Sequence, residues 1–239
     1  MLKALYIAAA VALGAISLPA NAATIVLSGP SSSGTDGNSR TATDGTTSVR
    51  VTGWSVNGGT VRDGAVGRWS TGVGVENSNG DNSHTIDNNG WLDFILLQFD
   101  TNVMLDMVSF STGFHSMFDT DATIGVANLS GPWNVTPGWD NQSNSVLSPF
   151  TFFHSGSVGL SGSNTRGVNP NGLVGNAWII AASDLNPDGN LDGFKVGAVT
   201  FDAVGAVPEP STWALLILGF GLIGGAMRRR KTVALPAFA

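Results

Sequence analysis

The side chains that could do chemistry in this 239-residue chain are mainly oxygen donors. The richest run is Asp184-Leu185-Asn186-Pro187-Asp188-Gly189-Asn190-Leu191-Asp192, with carboxylate or amide oxygens at alternate positions before a glycine turn. Hard oxygens at that spacing suit a hard cation, so Asp184, Asn186, Asp188 and Asp192 are candidate metal ligands and Ca2+ is the ion they point to. A calcium loop needs a bidentate acid at its twelfth position, and here that position is Lys195. An Asx-rich turn leading into a strand is therefore the competing reading. Asp119 and Asp121 form a second, weaker acidic pair.

Catalytic signals are sparse. His84, His115 and His154 are scattered, and no Gly-x-Ser-x-Gly, phosphate-binding loop or His-Glu-x-x-His motif occurs. His154-Ser155 is a sequential pair, a spacing that does not aim a base at a nucleophile. Asp93 and Asp100 flank an apolar run and read as turn caps rather than a glycosidase carboxylate pair. No catalytic residue is assigned and the chain reads as a non-enzyme. Trp133 and Trp139 lie in the polar run Gly131 to Asn141, where an indole face beside Asn and Asp can stack on a sugar ring. Packing beneath a long loop is the alternative use of those rings.

These residues must be positioned by a β domain. Segments with β-branched or alternating character recur at Ala23–Ser28, Ser48–Val56, Thr60–Val66, Gly72–Val75, Asp93–Phe99, Met104–Phe110, Ala122–Ala127, Ala177–Ala182 and Phe194–Phe201. Asn57-Gly58-Gly59 reads as a hairpin turn, and Gly29 to Thr47 reads as a loop. Sustained 3.6-residue stripes and fixed-period repeats are absent from 23–206. The expected fold is all-β, an antiparallel, jelly-roll-like β-sandwich of residues 23–206, with Trp91 and Trp178 in its core.

The two ends have a different composition. Lys3, the apolar run Ala4 to Leu18, Pro19 and the small residues Ala20-Asn21-Ala22 read as a signal helix and cleavage site, making 1–22 a signal peptide for a signal peptidase. Val207-Pro208-Glu209-Pro210 precedes Ser211-Thr212-Trp213-Ala214, an apolar stretch to Met227, and the basic cluster Arg228-Arg229-Arg230-Lys231. Residues 213–227 read as a single transmembrane helix, with Trp213 at the outer interface and 228–231 on the cytoplasmic side of the inner membrane. The span is weak, because Thr212 to Met227 reaches only about 24 Å against a hydrocarbon core of about 30 Å. Residues 232–239 form a cytoplasmic tail in this reading.

Pro208, Glu209, Pro210, Trp213 and Ala214, the glycine-rich apolar helix and the arginine cluster together resemble the PEP-CTERM sorting signal in its PEPxxWA variant. That resemblance makes 207–231 a sorting anchor. It implies processing near the Pro-Glu-Pro motif by exosortase, a membrane cysteine protease-transpeptidase of polysaccharide-producing Gram-negative bacteria. The tail Thr232 to Ala239 is longer and more apolar than the usual basic end of such signals. Within the domain, His84-Thr85-Ile86-Asp87-Asn88 running into a buried strand, followed by Asp119-Thr120-Asp121, resembles a module of one group of PEP-CTERM surface proteins. No known chemistry comes with that module.

Charge narrows the partners. Lys3 and residues 228–231 hold five of the eleven basic residues and Glu209 one of the seventeen acids, so the domain keeps six against sixteen, a net −10. Such a surface repels nucleic acid. Cysteine is absent, so an exported domain of this kind relies on its core or on metal. The expectation is an exported surface or extracellular-matrix protein that meets exosortase and extracellular polysaccharide. A carbohydrate-binding module, calcium-dependent or not, is the alternative. An ice-contacting surface lacks the regular Thr-x-Thr ladder it would need.

Overall fold

A computed structural model describes residues 22–31, 37–78, 84–112, 118–156, 163–185, 188–204 and 210–228. The signal peptide expected over 1–22 lies outside them except for Ala22, as do Pro208, Glu209, Arg229, Arg230, Lys231 and the tail. The chain divides into two compact units, 1–204 and 205–239.

The first unit contains β1 (Ala23–Val26), β2 (Ser39–Thr43), β3 (Ser48–Asn57), β4 (Thr60–Trp69), β5 (Gly72–Glu76) and β6 (Ile86–Asp87). They are followed by β7 (Leu92–Ser111), β8 (Ala122–Ala127), β9 (Thr151–Ser155), β10 (Ser163–Gly167), β11 (Gly175–Ala182) and β12 (Gly193–Ala203). Asn57 pairs with Thr60 across Gly58 and Gly59, whose φ angles of 55° and 80° make the tight turn expected there. Among the described residues, every pairing between these strands is antiparallel.

The sandwich expectation is corrected to a barrel. The reason is β7, which reads in sequence as two strands separated by residues 100–103 but runs unbroken for 20 residues. Its first half pairs with β3 (Val49↔Phe99 to Val56↔Leu92) and its second half with β12 (Lys195↔Ser111 to Ala203↔Val103). Since β3–β4–β5–β12 is already a ladder, β7 closes a five-stranded ring. Strands β11, β8 and β9 extend outward from the first half of β7, and β10 pairs with its second half.

Alternation along β7 accounts for its apolar run. Ile95, Leu97 and Phe99 join the main core with Val51, Phe110, Trp178 and Phe201. Phe94 and Leu96 face the other way, joining Trp54, Val61, Phe150 and Ile179 in a second core. A strand buried on both faces loses the apolar–polar alternation of a half-exposed one. Trp178 is fully buried as expected, whereas Trp91 is only half-buried.

Among the described residues the second unit contains one helix, α1 (Pro210–Arg228). It begins three residues before the expected span, and its large apolar side chains are exposed, Ile217 reaching 72 %. Four glycines dilute that surface. No helix among the described residues is long and apolar enough to cross a membrane.

Candidate functional site

The start of β8 lies between the ends of β9 and β11, through the pairs Ala122↔Ser155 and Ala182↔Ala122. The segment entering β8 carries Asp119 and Asp121, and the connection from β11 to β12 carries Asp188 and Asp192. A parallel bridge between Asp119 and Asp192 joins them, with Asp119 N–H donating to Leu191 O at 3.1 Å and Gly193 N–H to Asp119 O at 3.0 Å. The two acidic candidates of the sequence thus form one cluster.

Carboxylate oxygens of Asp119, Asp121 and Asp188 lie within 4.8 Å of one another. Asp119 and Asp192 are fully buried and Asp121 nearly so, while Asp188 is exposed. Each buried member of the bridge has one oxygen tied to the protein. Asp119 Oδ1 accepts from Asp121 N–H at 3.3 Å, and Asp192 Oδ2 accepts from Asn88 Nδ2 at 2.7 Å. The other oxygens, Asp119 Oδ2 and Asp192 Oδ1, are buried and receive no N–H or hydroxyl donor, each carboxyl group having the other as its neighbour.

Burial sets the electrostatics. It pushes the Asp192 carboxyl up to about 9, with the neighbouring Asp119 carboxyl adding to the shift. Asp119 is raised too, first by burial. Asp188 is lowered, because Asn190 N–H and Nδ2 both donate to it.

The nearest strong cation is spent elsewhere. Arg166, on β10, gives all five donors to neutral acceptors: Nε to Ser155 Oγ, Nη1 to Thr120 Oγ1 and Asn164 Oδ1, Nη2 to Thr120 O and Ser155 O. Its guanidinium also lies 4.0 Å from the centre of the Phe110 ring, and burial lowers it to about 10. It braces the Asp119–Asp121 segment from behind without pairing directly with those carboxylates.

Asn88 holds the opposite side. Besides Asp192 Oδ2, its Nδ2 donates to Ser183 O at 3.2 Å, and its Oδ1 accepts from Asp192 N–H at 3.0 Å. The preceding turn is fixed by Thr85 Oγ1 donating to Asp87 Oδ2 and Asn89 N–H to Asp87 Oδ1, while Ile86 and Asp87 pair with the start of β12. In the sequence this turn stands out as a motif, but nothing in the residue types assigns Asn88 a role.

Asp184 stands apart from the cluster. Its Oδ1 accepts from Thr123 Oγ1 at 2.6 Å, and both residues line a groove of about 420 Å³ with Phe94, Leu147, Phe150, Phe152 and Ile179. Asn186 lies outside the described residues. Trp139 is half-buried and packs on Trp54 (ring centres 5.5 Å) and on Phe150 (6.2 Å), and Trp133 is half-buried in the same loop. Phe152, 43 % exposed, is the aromatic that the groove presents.

The histidines have local uses. His84 Nδ1 is 3.2 Å from Glu76 Oε1, and its ring stacks on Trp69. His154 Nδ1 is 3.3 Å from Ser183 Oγ, and its Nε2 is 3.9 Å from Asp121 Oδ2. The order is that of a hydrolytic triad, but Ser183 is 1 % exposed and its Oγ accepts Leu185 N–H. A nucleophile needs access to substrate, which this hydroxyl lacks. His115 lies outside the described residues.

At the other end of the chain, α1 supplies the backbone of Pro210, Trp213 and Ala214 and ends at Arg228, the first of the basic cluster. Comparison with known proteins finds one family model, described as the PEP-CTERM protein-sorting motif, matching residues 206–231. No curated protein and no solved structure matches the chain. The motif implies an exported, cell-surface-associated protein that exosortase sorts. Residues 206–231 of this chain are a PEP-CTERM protein-sorting motif.

Proposed function

We propose that the chain is a non-enzymatic protein of the cell surface or extracellular polysaccharide matrix. In this reading signal peptidase removes 1–22 and the β unit folds outside the inner membrane. Residues 206–231 then present the sorting motif to exosortase, which acts near Pro208-Glu209-Pro210. The observation that carries the proposal is the sorting motif over 206–231, directly after a compact β unit. The weakness of the apolar helix suits an anchor that is held only briefly, and Trp213 with Arg228 to Lys231 orients it. A non-enzymatic role is supported by the burial of Ser183 beside His154 and by the pairing of His84 with Glu76.

Replacing Pro208, Glu209 and Pro210 together by alanine tests the sorting step. The variant should accumulate at full length in the membrane fraction, and surface display equal to the parent's would contradict the proposal. A second reading, a carbohydrate-binding module, is favoured by the groove beside Phe152, which combines aromatic walls with Asn144, Ser148 and Asp184 at its polar edge. Electrophoresis through polysaccharide-containing gels distinguishes the two. Retardation lost in Phe152→Ala supports binding through the groove, and loss in Trp133→Ala or Trp139→Ala instead moves it to the loop.

A further inference from the structure

We infer that Asp119, Asp121 and Asp188 form a calcium-binding site, with Asp192 beside Asp119, that ties the entry of β8 to the entry of β12. Three carboxylates drawn from sequence positions nearly seventy residues apart, Asp119, Asp121 and Asp188, converge, and the backbone bridge sets Asp192 beside Asp119. An acidic cluster alone would say little. What points to a ligand is that Asp119 Oδ2, on a side chain fully hidden from solvent, receives no N–H or hydroxyl donor and has only carboxyl groups as neighbours, Asp192 Oδ1 being buried in the same state. Leaving such oxygens unpaired is costly, and a cation satisfies several at once.

The surrounding donors do not do that work. Arg166 spends its five donors on neutral oxygens, and Asn88 reaches only the other oxygen of Asp192. The ligand chemistry is all carboxylate, which selects a hard ion over zinc or copper. Oxygens of Asp119, Asp121 and Asp188 within 4.8 Å of one another fit inside the about 5 Å that separates opposite oxygens around calcium. Exposed Asp188 gives the ion its way in, and Asn190 holds that carboxylate in place. The site differs from the one the 184–192 run suggests: Asp184 is engaged by Thr123 and Asp119 takes part in its stead.

Calcium uptake is independent of sorting, so the test runs on the purified full chain in mild detergent. Equilibrium dialysis against 45Ca2+ after chelator treatment should show one ion per chain, with a Kd in the range of about 0.1–1 mM common to extracellular modules. Asp188→Asn, an exposed change that leaves the fold intact, should weaken binding at least tenfold, and Asp119→Asn should abolish it. Asp184→Asn should bind as the parent does. The inference is overturned by no saturable uptake up to about 5 mM calcium, by equal binding in Asp188→Asn and the parent, or by loss of binding in Asp184→Asn. With no uptake, Asp119 and Asp192 would be a carboxyl pair sharing a proton.

Discussion

Arg166→Lys keeps the positive charge near Asp119 and Asp121 but cannot keep the fork of five hydrogen bonds. Lysine offers three donors, so at least two of the acceptors on Thr120, Asn164 and Ser155 lose their partners. A hydrogen bond from a charged group contributes about 1.5–3 kcal/mol, and partial relaxation or entering water recovers part of it. The loss should therefore be about 3 kcal/mol. Flattened contact with the Phe110 ring, now 4.0 Å from the guanidinium carbon, adds to it in the same direction. At about 2–4 °C per kcal/mol for a domain of this size, the melting temperature should fall by about 6–12 °C. Urea unfolding of the full chain in mild detergent with chelator present, followed by tryptophan fluorescence, measures this without interference from calcium. A loss below about 1 kcal/mol with an unchanged m-value would show that the fork does not brace the Asp119–Asp121 segment.

Three further outcomes follow from the same geometry. Trp178→Ala empties a fully buried indole site at the middle of β11 and should cost about 3–5 kcal/mol by the same unfolding assay. Gly58→Val places a β-branched residue at φ 55° in the β3–β4 turn and should cost about 1–2 kcal/mol, more than the same change at an ordinary turn position. Lys195, buried and 4.5 Å from the Trp69 ring centre, is lowered by burial to about 8. Between pH 8 and its ordinary value near 10.5 the unfolded chain then binds the proton that the folded chain has lost, so stability gains with rising pH in that window and not below it. Measured as the stability difference between the parent and Lys195→Met, the gain should be at most about 3 kcal/mol, and a flat difference from pH 8 to 10.5 would contradict the assignment.

Much of the fold was legible because local chemistry and tertiary structure agree. Asn57-Gly58-Gly59 forms the tight turn its residues favour, and the runs at Ser48–Val56, Ala122–Ala127 and Ala177–Ala182 lie within β3, β8 and β11. The errors arise where pairing outweighs local signals. Residues 100–103 separate two expected strands, yet they continue β7 because each half of the strand has a partner ladder of its own. That continuity turns two expected sheets into a closed ring. Strands β2, β9 and β10 were missed because Ser39–Thr43, Thr151–Ser155 and Ser163–Gly167 are polar or lie in glycine- and asparagine-rich surroundings. Their strand state comes from neighbours at Ser48–Thr52, Ala122–Val126 and Met107–Ser111.

The candidate site was half legible for the same reason. Asp188 and Asp192 drew notice in one run and Asp119 and Asp121 in another, but only the bridge between strand entries brings them together. Alternate spacing also favoured Asp184, which the hydroxyl of Thr123 occupies. The resemblance pairing a His-x-Ile-Asp-Asn turn with a later Asp-x-Asp was the one signal linking Asn88 to Asp119 and Asp121. Burial explains it, because Asn88 orients the Asp192 carboxylate that faces Asp119.

The sorting reading makes the sharpest demand on the chain's own end. Mass spectrometry of the C-terminal peptide, on protein recovered from the surface or medium of cells that make it, should find a terminus near Pro208-Glu209-Pro210, with α1 and the basic cluster gone. Recovery of peptides ending at Ala239 from that same fraction would contradict exosortase processing and leave the helix as a permanent part of the protein.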